Sequence, residues 1–373
     1  MSDSLKLKSF FYDLQSRKII ANHANLNNFF QLEPVEPDEK VIYLGIDCTG
    51  ERLHIGHLFQ LIQTIRFAKE DFTVLLVLGG ATSKIGDPSD KDKERPLLEE
   101  KQIENYQEKI KSQLERILIK PKKIEKINLS PLEQFYQDDP ELLNSIYQVL
   151  KINKEDKKEK QWEDYLWYIW PLKENTKFQI LNNKDWLEKM NFIDFLRQTG
   201  KHLTVAYLSS KETIKKRIDT GLSFLEFSYP LIQAYDFYYL YENYNCRGQL
   251  GGSDQWGNLT TGLKLINNFY PEHKAFAFNF PLLTDKDGKK FSKSEKGKKM
   301  LWLNSDKKDF RNFWQNMADE QVPIYFQQFT FLTENQIAEL EKIIVNNPPQ
   351  LRIGQRILLE LMWFLNRGER YKS

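Results

Sequence analysis

The sequence predicts an α/β protein in which a parallel sheet is followed by a separate all-helical domain. Two apolar runs, 41–46 and 72–80, are typical of strands covered on both faces, and a long helix over about 56–70 connects them. A strand, a helix and a second strand in this order form a parallel βαβ unit. After Asn304 the pattern is wholly helical, with a Pro–Pro pair at 348–349 as a breaker.

Three regions are predicted along the chain. Residues 1–40 form an N-terminal arm, with a helix over 10–19 and a polar connector rich in Asn and His. Residues 41–303 form the parallel-sheet domain, in which about 120–176 is a surface insertion because Lys, Glu, Asp and Asn crowd there around several tryptophans. Residues 304–373 form the helical domain.

The other elements follow from the period of the apolar residues and from the glycines and caps that bound each run. A helix ends near Ile119, strands are predicted over 178–181, 249–252 and 276–283, and helices over 192–200, 209–218, 223–244 and 253–269. Ser253 or Asp254 is the expected N-cap of the last of these helices. The C-terminal helices are expected over 309–317, 322–331, 334–345 and 351–365.

Composition limits the classes of partner. The 54 Lys and Arg residues nearly balance the 52 Asp and Glu residues, so any contact with nucleic acid must come from local clusters such as 120–126 and 286–299. The two cysteines, Cys48 and Cys246, are too few for a disulfide framework or a structural zinc site and are expected to be core thiols. No apolar run reaches the length of a transmembrane helix, so no membrane contact is expected.

Polar residues collect where the predicted strands end. Tyr43 and Asp47 lie on the first strand, Asp87 follows the second, 251–255 follow a later one, and the segment GKKFSKSEKGK at 288–298 follows the last. Glycines beside a helix N-terminus suit a ribose and a flat base, and lysines on a Gly/Ser loop suit a polyphosphate. Neither common nucleotide cradle, GxxxxGK[ST] or GxGxxG, occurs in the sequence.

Five motifs carry a family resemblance. His54-Ile55-Gly56-His57 and Lys290-Phe291-Ser292-Lys293-Ser294 resemble the two signatures of class I aminoacyl-tRNA synthetases, the second departing from the usual form at Phe291. Between them, GGATSKIGDPS at 79–89, FSYPLIQAYDF at 227–237 and QLGGSDQWGN at 249–258 resemble the tyrosyl-tRNA synthetase of bacteria and organelles. The match runs from about Phe11 to Arg367, interrupted by the insertion, and implies a Rossmann-like catalytic domain before the helical one.

The resemblance implies a two-step ligase reaction. The tyrosine carboxylate would attack the α-phosphate of Mg-ATP, and the tyrosyl group would then pass to the 3′ end of tRNA(Tyr). ATP and its Mg²⁺ come as substrate, so no tightly bound cofactor and no protein metal site are implied. The implied catalytic residues are Thr49, His54, His57, Lys290 and Lys293, and the implied ATP-binding residues are Gly45, Gly56, Lys91, Arg95, Gly252, Asp254 and Ser294.

The same resemblance implies a tyrosine pocket. Tyr43 and Asp236 would hold the substrate hydroxyl, and Asp87, Tyr229 and Gln233 its ammonium group, with Asp47 and Gln255 in support. Tyr229, Gln233 and Asp236 have the spacing i, i+4 and i+7, which places them on one helix face. Taken singly, Tyr229 and Gln233 are also compatible with ordinary helix residues, and His54 with a neighbour of a helix cap.

Three departures from the family pattern stand out. Asp90 occupies a position that is usually glycine, the insertion is unusual for a bacterial form, and no S4-like domain follows the helical domain before Ser373. Either the natural chain continues beyond Ser373, or recognition of tRNA relies on the helical domain and on dimerisation. Biased Lys, Asn, Tyr and Phe usage favours an organelle, with the mitochondrial matrix first and a bacterial cytoplasm as the alternative.

Two other functions remain open on the sequence. One is a synthetase-derived RNA-binding protein with an intron-splicing or structural role. The other is a tryptophanyl relative, against which the pair Tyr43 and Asp236 argues.

Overall fold

The computed structural model describes residues 6–32, 39–89, 97–119, 139–150, 178–219, 221–284 and 300–367. The chain divides into two compact units. The first, called the sheet unit, comprises Met1–Arg52, Gln63–Lys111 and Asn175–Leu282. The second, called the helical unit, comprises Leu53–Ile62, Ser112–Glu174 and Leu283–Ser373.

A six-stranded sheet forms the centre of the sheet unit, with the strand order β1-β6-β5-β2-β3-β4. All neighbouring strands are parallel except β1, which runs antiparallel to β6. This arrangement confirms the predicted parallel sheet. The strands are β1 (Asn22–Ala24), β2 (Val41–Asp47), β3 (Thr73–Gly79), β4 (Phe178–Asn182), β5 (Cys246–Gly252) and β6 (Phe276–Phe280).

Helices occupy most of the remaining described chain. They are α1 (Lys6–Ser16), α2 (Leu26–Phe30), α3 (Ile55–Lys69), α4 (Glu100–Leu114), α5 (Pro140–Val149), α6 (Lys184–Leu187), α7 (Phe192–Gln198), α8 (Val205–Ser209), α9 (Glu212–Ile218), α10 (Phe224–Tyr244), α11 (Trp256–Phe269), α12 (Lys307–Gln315), α13 (Val322–Phe329), α14 (Glu334–Val345) and α15 (Ile353–Arg367). A π-helical turn, Glu115–Ile119, continues α4. Within the described ranges, no helix has both the length and the apolar content needed to cross a bilayer.

Apolar side chains cover both faces of the sheet, as the continuous apolar runs of β2 and β3 predict. On one face Tyr43 and Val77 pack in the same cluster as Phe237 of α10 and Leu263 of α11. On the other face several phenylalanine rings pack together, with neighbouring centroids 5.0 to 6.2 Å apart. They include Phe29 of α2, Phe67 of α3, Phe72 before β3, and Phe276 and Phe278 of β6. Burial of large rings is the main source of stability for such a layer.

The helical unit has its own aromatic core. Trp314 of α12 is fully buried and contacts the rings of Tyr325 and Phe329 of α13 at 5.9 Å. Phe310 of α12 meets Trp363 of α15 edge to face at 5.2 Å. Helix α14 packs on α5, so the described part of the predicted insertion belongs to this unit.

Two local predictions are wrong. The polar connector after α1 contains the edge strand β1. Its sequence, Asn-His-Ala, shows no strand pattern, and the strand forms by pairing with β6. Ser253 and Asp254 do not cap α11. They lie in the 3₁₀ turn Ser253–Gln255 that precedes it, and Gln255 occupies the cap position without a side-chain cap hydrogen bond.

Gly248 of β5 is expected to be required for packing. A Cβ atom there would lie 2.6 Å from Cγ2 of Ile42 and closer still to the ring of Phe276, both buried. Gly248→Ala should therefore lower the free energy of unfolding by about 1 to 3 kcal/mol in urea titrations. On the adjacent strand, a Cβ at Gly45 would meet nothing within 4 Å, so Gly45→Ala is the matched control and should be close to neutral. Equal losses from both variants would contradict the packing argument.

Candidate functional site

Three parallel strands bring the predicted polar residues to one edge of the sheet. Strands β2, β3 and β5 end at Asp47, Gly79 and Gly252, and the carboxyl ends of parallel strands lie on the same side. Ligands of open α/β sheets bind at this edge. The loop after β3 adds Asp87 there, following Gly86, whose φ of 86° is in the region that favours glycine.

The carboxylate of Asp47 is held by two hydroxyl donors. The hydroxyl of Tyr229 on α10 donates to Oδ2 at 2.9 Å, and Oγ1 of Thr82 donates to Oδ1 at 2.9 Å. Nδ2 of Asn183 donates to Oγ1 of Thr82 at 3.1 Å. Asp47 therefore joins the end of β2 to α10 and to the loop after β3.

Asp236 of α10 is a buried carboxylate with two side-chain donors. It is 4% exposed and accepts hydrogen bonds from Nε1 of Trp186 at 2.7 Å and from Nδ2 of Asn183 at 3.0 Å. Burial raises the pKa of its carboxyl to about 7; the two hydrogen bonds oppose this rise, and the Asp47 carboxylate adds to it. A buried carboxylate is expected to need such partners.

Two buried polar atoms at paired positions of neighbouring strands have no hydrogen-bond partner within the described structure. They are the hydroxyl of Tyr43 and Oε1 of Gln249, which occupy paired positions on β2 and β5 and are both buried. Gln249 lies beside the hydroxyl but not in hydrogen-bond geometry. Burial, followed by the Asp236 carboxylate, raises the pKa of Tyr43 well above its usual value. Unpaired buried polar atoms cost free energy unless a ligand satisfies them.

Asp87 and Gln255 form a second polar group. Nε2 of Gln255 donates to Oδ2 of Asp87 at 2.6 Å, and the backbone N–H of Ser89 donates to Oδ1 at 3.0 Å. Asn258 in turn donates from Nδ2 to Oε1 of Gln255 at 3.0 Å. The loop after β3 and the start of α11 are thereby joined.

The hydroxyl of Tyr229 experiences the negative charge of three carboxylates. Its pKa is raised well above the usual value by burial first, then by Asp47 and Asp87, with a smaller contribution from Asp236. Gln233 lies one turn further along α10 and is half-buried. Three acidic groups around one position produce a potential that favours a cation.

The predicted nucleotide residues of the sheet unit lie at the same strand ends. Gly45, near the end of β2, has open space where a side chain would stand, and Thr49 follows two residues after Asp47. Gly252 ends β5, and Asp254 is in the 3₁₀ turn before α11.

In the helical unit, His54, Gly56 and His57 form a compact turn at the start of α3. Nδ1 of His54 accepts a hydrogen bond from the backbone N–H of Gly56 at 3.1 Å, and Nδ1 of His57 accepts one from the N–H of His54 at 3.1 Å. The two imidazole centroids are 3.9 Å apart. A Cβ at position 56 would lie 3.0 Å from two atoms of the His54 ring, so glycine allows the imidazole to fold back.

These hydrogen bonds decide which tautomer each imidazole adopts when it is neutral. A ring nitrogen that accepts a hydrogen bond has no hydrogen of its own, so the neutral rings of His54 and His57 have their hydrogen on Nε2. In this form the donor of each ring is Nε2, and a ring N–H is a kind of group that binds phosphate oxygens.

The predicted residues Lys91, Arg95, Lys290, Lys293 and Ser294 lie outside the described residues, as does Asp90. Among the residues that are described, no group of three His, Cys, Asp or Glu side chains could hold a metal ion.

Sequence reasoning missed Thr82, Asn183, Trp186 and Gln249. Thr82 lies inside the GGATSKIGDPS motif, and Gln249 begins the QLGGSDQWGN motif. Asn183 and Trp186 follow β4 in the sequence NNKDW, at another strand end of the same edge. A search for donors able to satisfy a buried Asp236 could have found this last pair.

Comparison with known proteins shows similarity of this chain to tRNA synthetases. The family model of class I tRNA synthetases (W and Y) matches residues 37–362. The tyrosine–tRNA ligase of Roseiflexus castenholzii is 36% identical over 332 residues, which cover 88% of this chain and 66% of that protein. The tyrosine–tRNA ligase of Geobacillus stearothermophilus is 37% identical over 336 residues, covering 89% and 67%. The chain thus spans about two thirds of the length of these relatives.

A solved structure has the same fold. A C-terminally truncated mitochondrial tyrosyl-tRNA synthetase of Aspergillus nidulans superposes with a TM-score of 0.72 at 22% identity, covering 98% of this chain and 93% of that one. This likeness supports the predicted order of a Rossmann-like domain and a helical domain. None of these matches favours the RNA-splicing alternative.

Asp236 should make stability depend on pH in a defined window. Its pKa is about 7 in the folded chain, whereas an unfolded aspartate titrates near pH 4, so its contribution to stability is complete below about pH 4 and is lost as the pH rises to about 7. Asp236→Asn removes this titration. The free energy of unfolding of the variant minus that of the unmodified chain should therefore increase by about 4 kcal/mol between about pH 4 and about pH 7. Above that pH the difference should stay constant.

Urea titrations at a series of pH values measure this difference. Asp185→Asn, at an exposed aspartate of α6, is the control and should leave the shape of the stability curve unchanged. A constant difference between Asp236→Asn and the unmodified chain from pH 4 to 7 would contradict the assignment.

Proposed function

The chain belongs to the tyrosine–tRNA ligases of the class I (W and Y) tRNA synthetase family, and we propose that it activates tyrosine with ATP and transfers the tyrosyl group to tRNA(Tyr). In the first step an oxygen of the tyrosine carboxylate attacks the α-phosphorus of ATP, and the bond to pyrophosphate breaks. In the second step the terminal ribose hydroxyl of the tRNA attacks the activated carbonyl, and AMP leaves. Positioning and charge stabilisation suffice for both steps.

The observation that carries this proposal is the unsatisfied hydroxyl of Tyr43, which experiences the charge of Asp236. A phenol hydroxyl both donates and accepts a hydrogen bond. Placed here it would donate to Asp236 and accept from the hydroxyl of Tyr43, a buried polar group without a partner within the described residues. Phenylalanine would leave the Tyr43 hydroxyl unpaired, so the pocket would select tyrosine by the cost of an unmade hydrogen bond.

The ammonium group of the substrate fits the acidic group at the other end. Asp87 supplies charge, with Tyr229 and Gln233 on the same face of α10 as oxygen acceptors. Gln255 holds Asp87 in place, and Asp47 holds Tyr229. Both ends of the amino acid would thus be recognised by residues from the strand ends and from α10.

ATP would occupy the nucleotide residues. His54 and His57 would donate from Nε2 to phosphate oxygens, Thr49 would also contact the phosphates by resemblance, and Gly252 and Asp254 would bind the ribose. Gly45 would allow the nucleotide to approach the backbone, since a Cβ there would meet nothing within 4 Å. By resemblance, Gly56 also binds the nucleotide. By resemblance, Mg²⁺ arrives with ATP, and the phosphates are neutralised by Lys91, Arg95, Lys290, Lys293 and Ser294.

A homodimer is the proposed assembly. Helices α7 to α10 expose several large apolar side chains, among them Phe192 (64% exposed), Ile193 (58%), Val205 (69%) and Phe224 (71%). Exposed apolar residues on consecutive helices are typical of a surface that another chain covers. The proposed occupant is a second copy of this chain.

The proposed compartment is the mitochondrial matrix, with a bacterial cytoplasm as the alternative. The fold of a mitochondrial tyrosyl-tRNA synthetase supports the first, and the two bacterial relatives are compatible with either.

Tyrosine-dependent exchange of pyrophosphate into ATP tests the function. The purified chain with magnesium should catalyse exchange with tyrosine and far less with phenylalanine. Tyr43→Phe should lower this discrimination by about tenfold to hundredfold, because one buried hydrogen bond to the substrate is lost. Absence of exchange by the folded chain would refute the proposed function.

A matched control separates the pocket from general effects. Tyr325 in the helical unit also has a buried hydroxyl without a hydrogen-bond partner in the described structure. Tyr325→Phe should leave the discrimination between tyrosine and phenylalanine unchanged. An equal effect of both variants would show that Tyr43 does not read the substrate hydroxyl.

The dimer proposal is tested by mass in solution. Phe192→Glu combined with Val205→Glu should shift the chain from dimer to monomer in sedimentation equilibrium, because two charges would be desolvated at the interface. Glu substitutions at the exposed positions Lys201 and Lys215 are the control and should leave the mass unchanged. A chain that is monomeric before any substitution would contradict the proposal.

A further inference from the structure

A short segment after the second signature pairs with the turn that contains His54. The backbone N–H of Leu303 donates to the carbonyl of Leu53 at 2.8 Å, and the N–H of Ile55 donates to the carbonyl of Leu301 at 2.9 Å. His54 and Trp302 form the antiparallel bridge between them, and their rings meet at 5.9 Å and 67°. The orientation of His54 therefore depends on where this segment, Leu301 to Leu303, is held.

Asn366 of α15 holds the segment from the other side. Its side chain is fully buried, and Nδ2 donates to the carbonyl of Leu303 at 2.6 Å. Leu303 is thus bonded through its N–H to the His54 turn and through its carbonyl to the last described helix.

Arg116 fixes which way the Asn366 amide points. From the π-helical turn after α4, Nη2 of Arg116 donates to Oδ1 of Asn366 at 3.2 Å, and Nε donates to the backbone carbonyl of Asn366 at 3.0 Å. A guanidinium has no acceptor, so Oδ1 must face Arg116. Nδ2 then faces Leu303, where it donates.

We propose that Asn366 is a positioning residue for His54, acting through the hydrogen bond to Leu303 and the pairing of Leu301 to Leu303 with the turn. The proposal rests on the proposed function, which assigns His54 to the phosphates of ATP. It needs no contact between Asn366 and substrate. Its basis is that small displacements of a catalytic group produce large losses of rate.

Asn366→Asp is the most informative variant, because it keeps the size of the side chain and replaces the donor to Leu303 by an acceptor. The carboxylate keeps an oxygen for Arg116 but places an acceptor against the Leu303 carbonyl, so that contact becomes repulsive. The rate of tyrosine-dependent exchange should fall by about tenfold or more, with the KM for tyrosine unchanged within about twofold. His54→Ala should likewise lower the rate and leave the KM for tyrosine unchanged, and its loss of rate should be larger.

Gln355→Glu is the matched control. Gln355 lies on the same helix, is equally buried, and donates from Nε2 to the Met317 carbonyl at 3.1 Å and to Asp319 at 2.5 Å, away from the turn. The same change from amide to acid there places a carboxylate against Asp319 and the Met317 carbonyl, so it should destabilise the helix at least as much. At a temperature where all variants are folded by circular dichroism, it should leave the exchange rate within about twofold.

Amide hydrogen exchange supplies a readout that does not need activity. Asn366→Asp should accelerate exchange at the N–H groups of Ile55 and Leu303, and Gln355→Glu should not. Unchanged protection at these two amides, or equal kinetics of the two variants, would overturn the proposal. If the unmodified chain lacks exchange of pyrophosphate, the proposed function fails, while the amide data still decide whether Asn366 holds the turn.

Discussion

The buried carboxylate of Asp236 is the constraint on which the pocket depends. The carboxylate is buried, and its donors within the described residues are Trp186 and Asn183, so both must be in place when the chain folds. From Asn183 the hydrogen bonds continue through Thr82 and Asp47 to Tyr229, which is on the same helix as Asp236 and two turns earlier. The chain of contacts therefore closes on α10 and ties it to the ends of β2, β3 and β4.

Much of the fold follows from local sequence. The apolar runs of β2 and β3 and the long helices α3 and α10 were predictable within one or two residues, because burial on both faces and helical periodicity leave plain patterns. Strand β1 was not, since it has three residues whose side chains are polar or small and it forms through pairing with β6, which is distant in sequence. The expected cap of α11 was wrong because a 3₁₀ turn intervenes.

Site residues that lie in a motif could be proposed from the sequence. Contacts between residues that are distant in sequence could not. Tyr43, Asp87, Tyr229 and Asp236 lie in or beside recognisable motifs. Asn183 is 53 residues from Asp236 and 101 from Thr82, and nothing in one sequence reveals such pairs. The anchoring of the His54 turn by Asn366 spans a similar distance, from Leu303 to the last helix, 63 residues away.

The acidity of a bound phenol follows from the charges around it. Burial first, and then the Asp236 carboxylate, raises the pKa of the Tyr43 hydroxyl well above its usual value. In the proposed complex the substrate hydroxyl lies beside Tyr43 and Asp236, so the same burial and the same carboxylate would hold it in its protonated form. A tyrosine with a more acidic phenol would be partly ionised, and Asp236 would disfavour binding of that anion. The proposed pocket would thus also discriminate against tyrosine whose ring carries an acidifying modification.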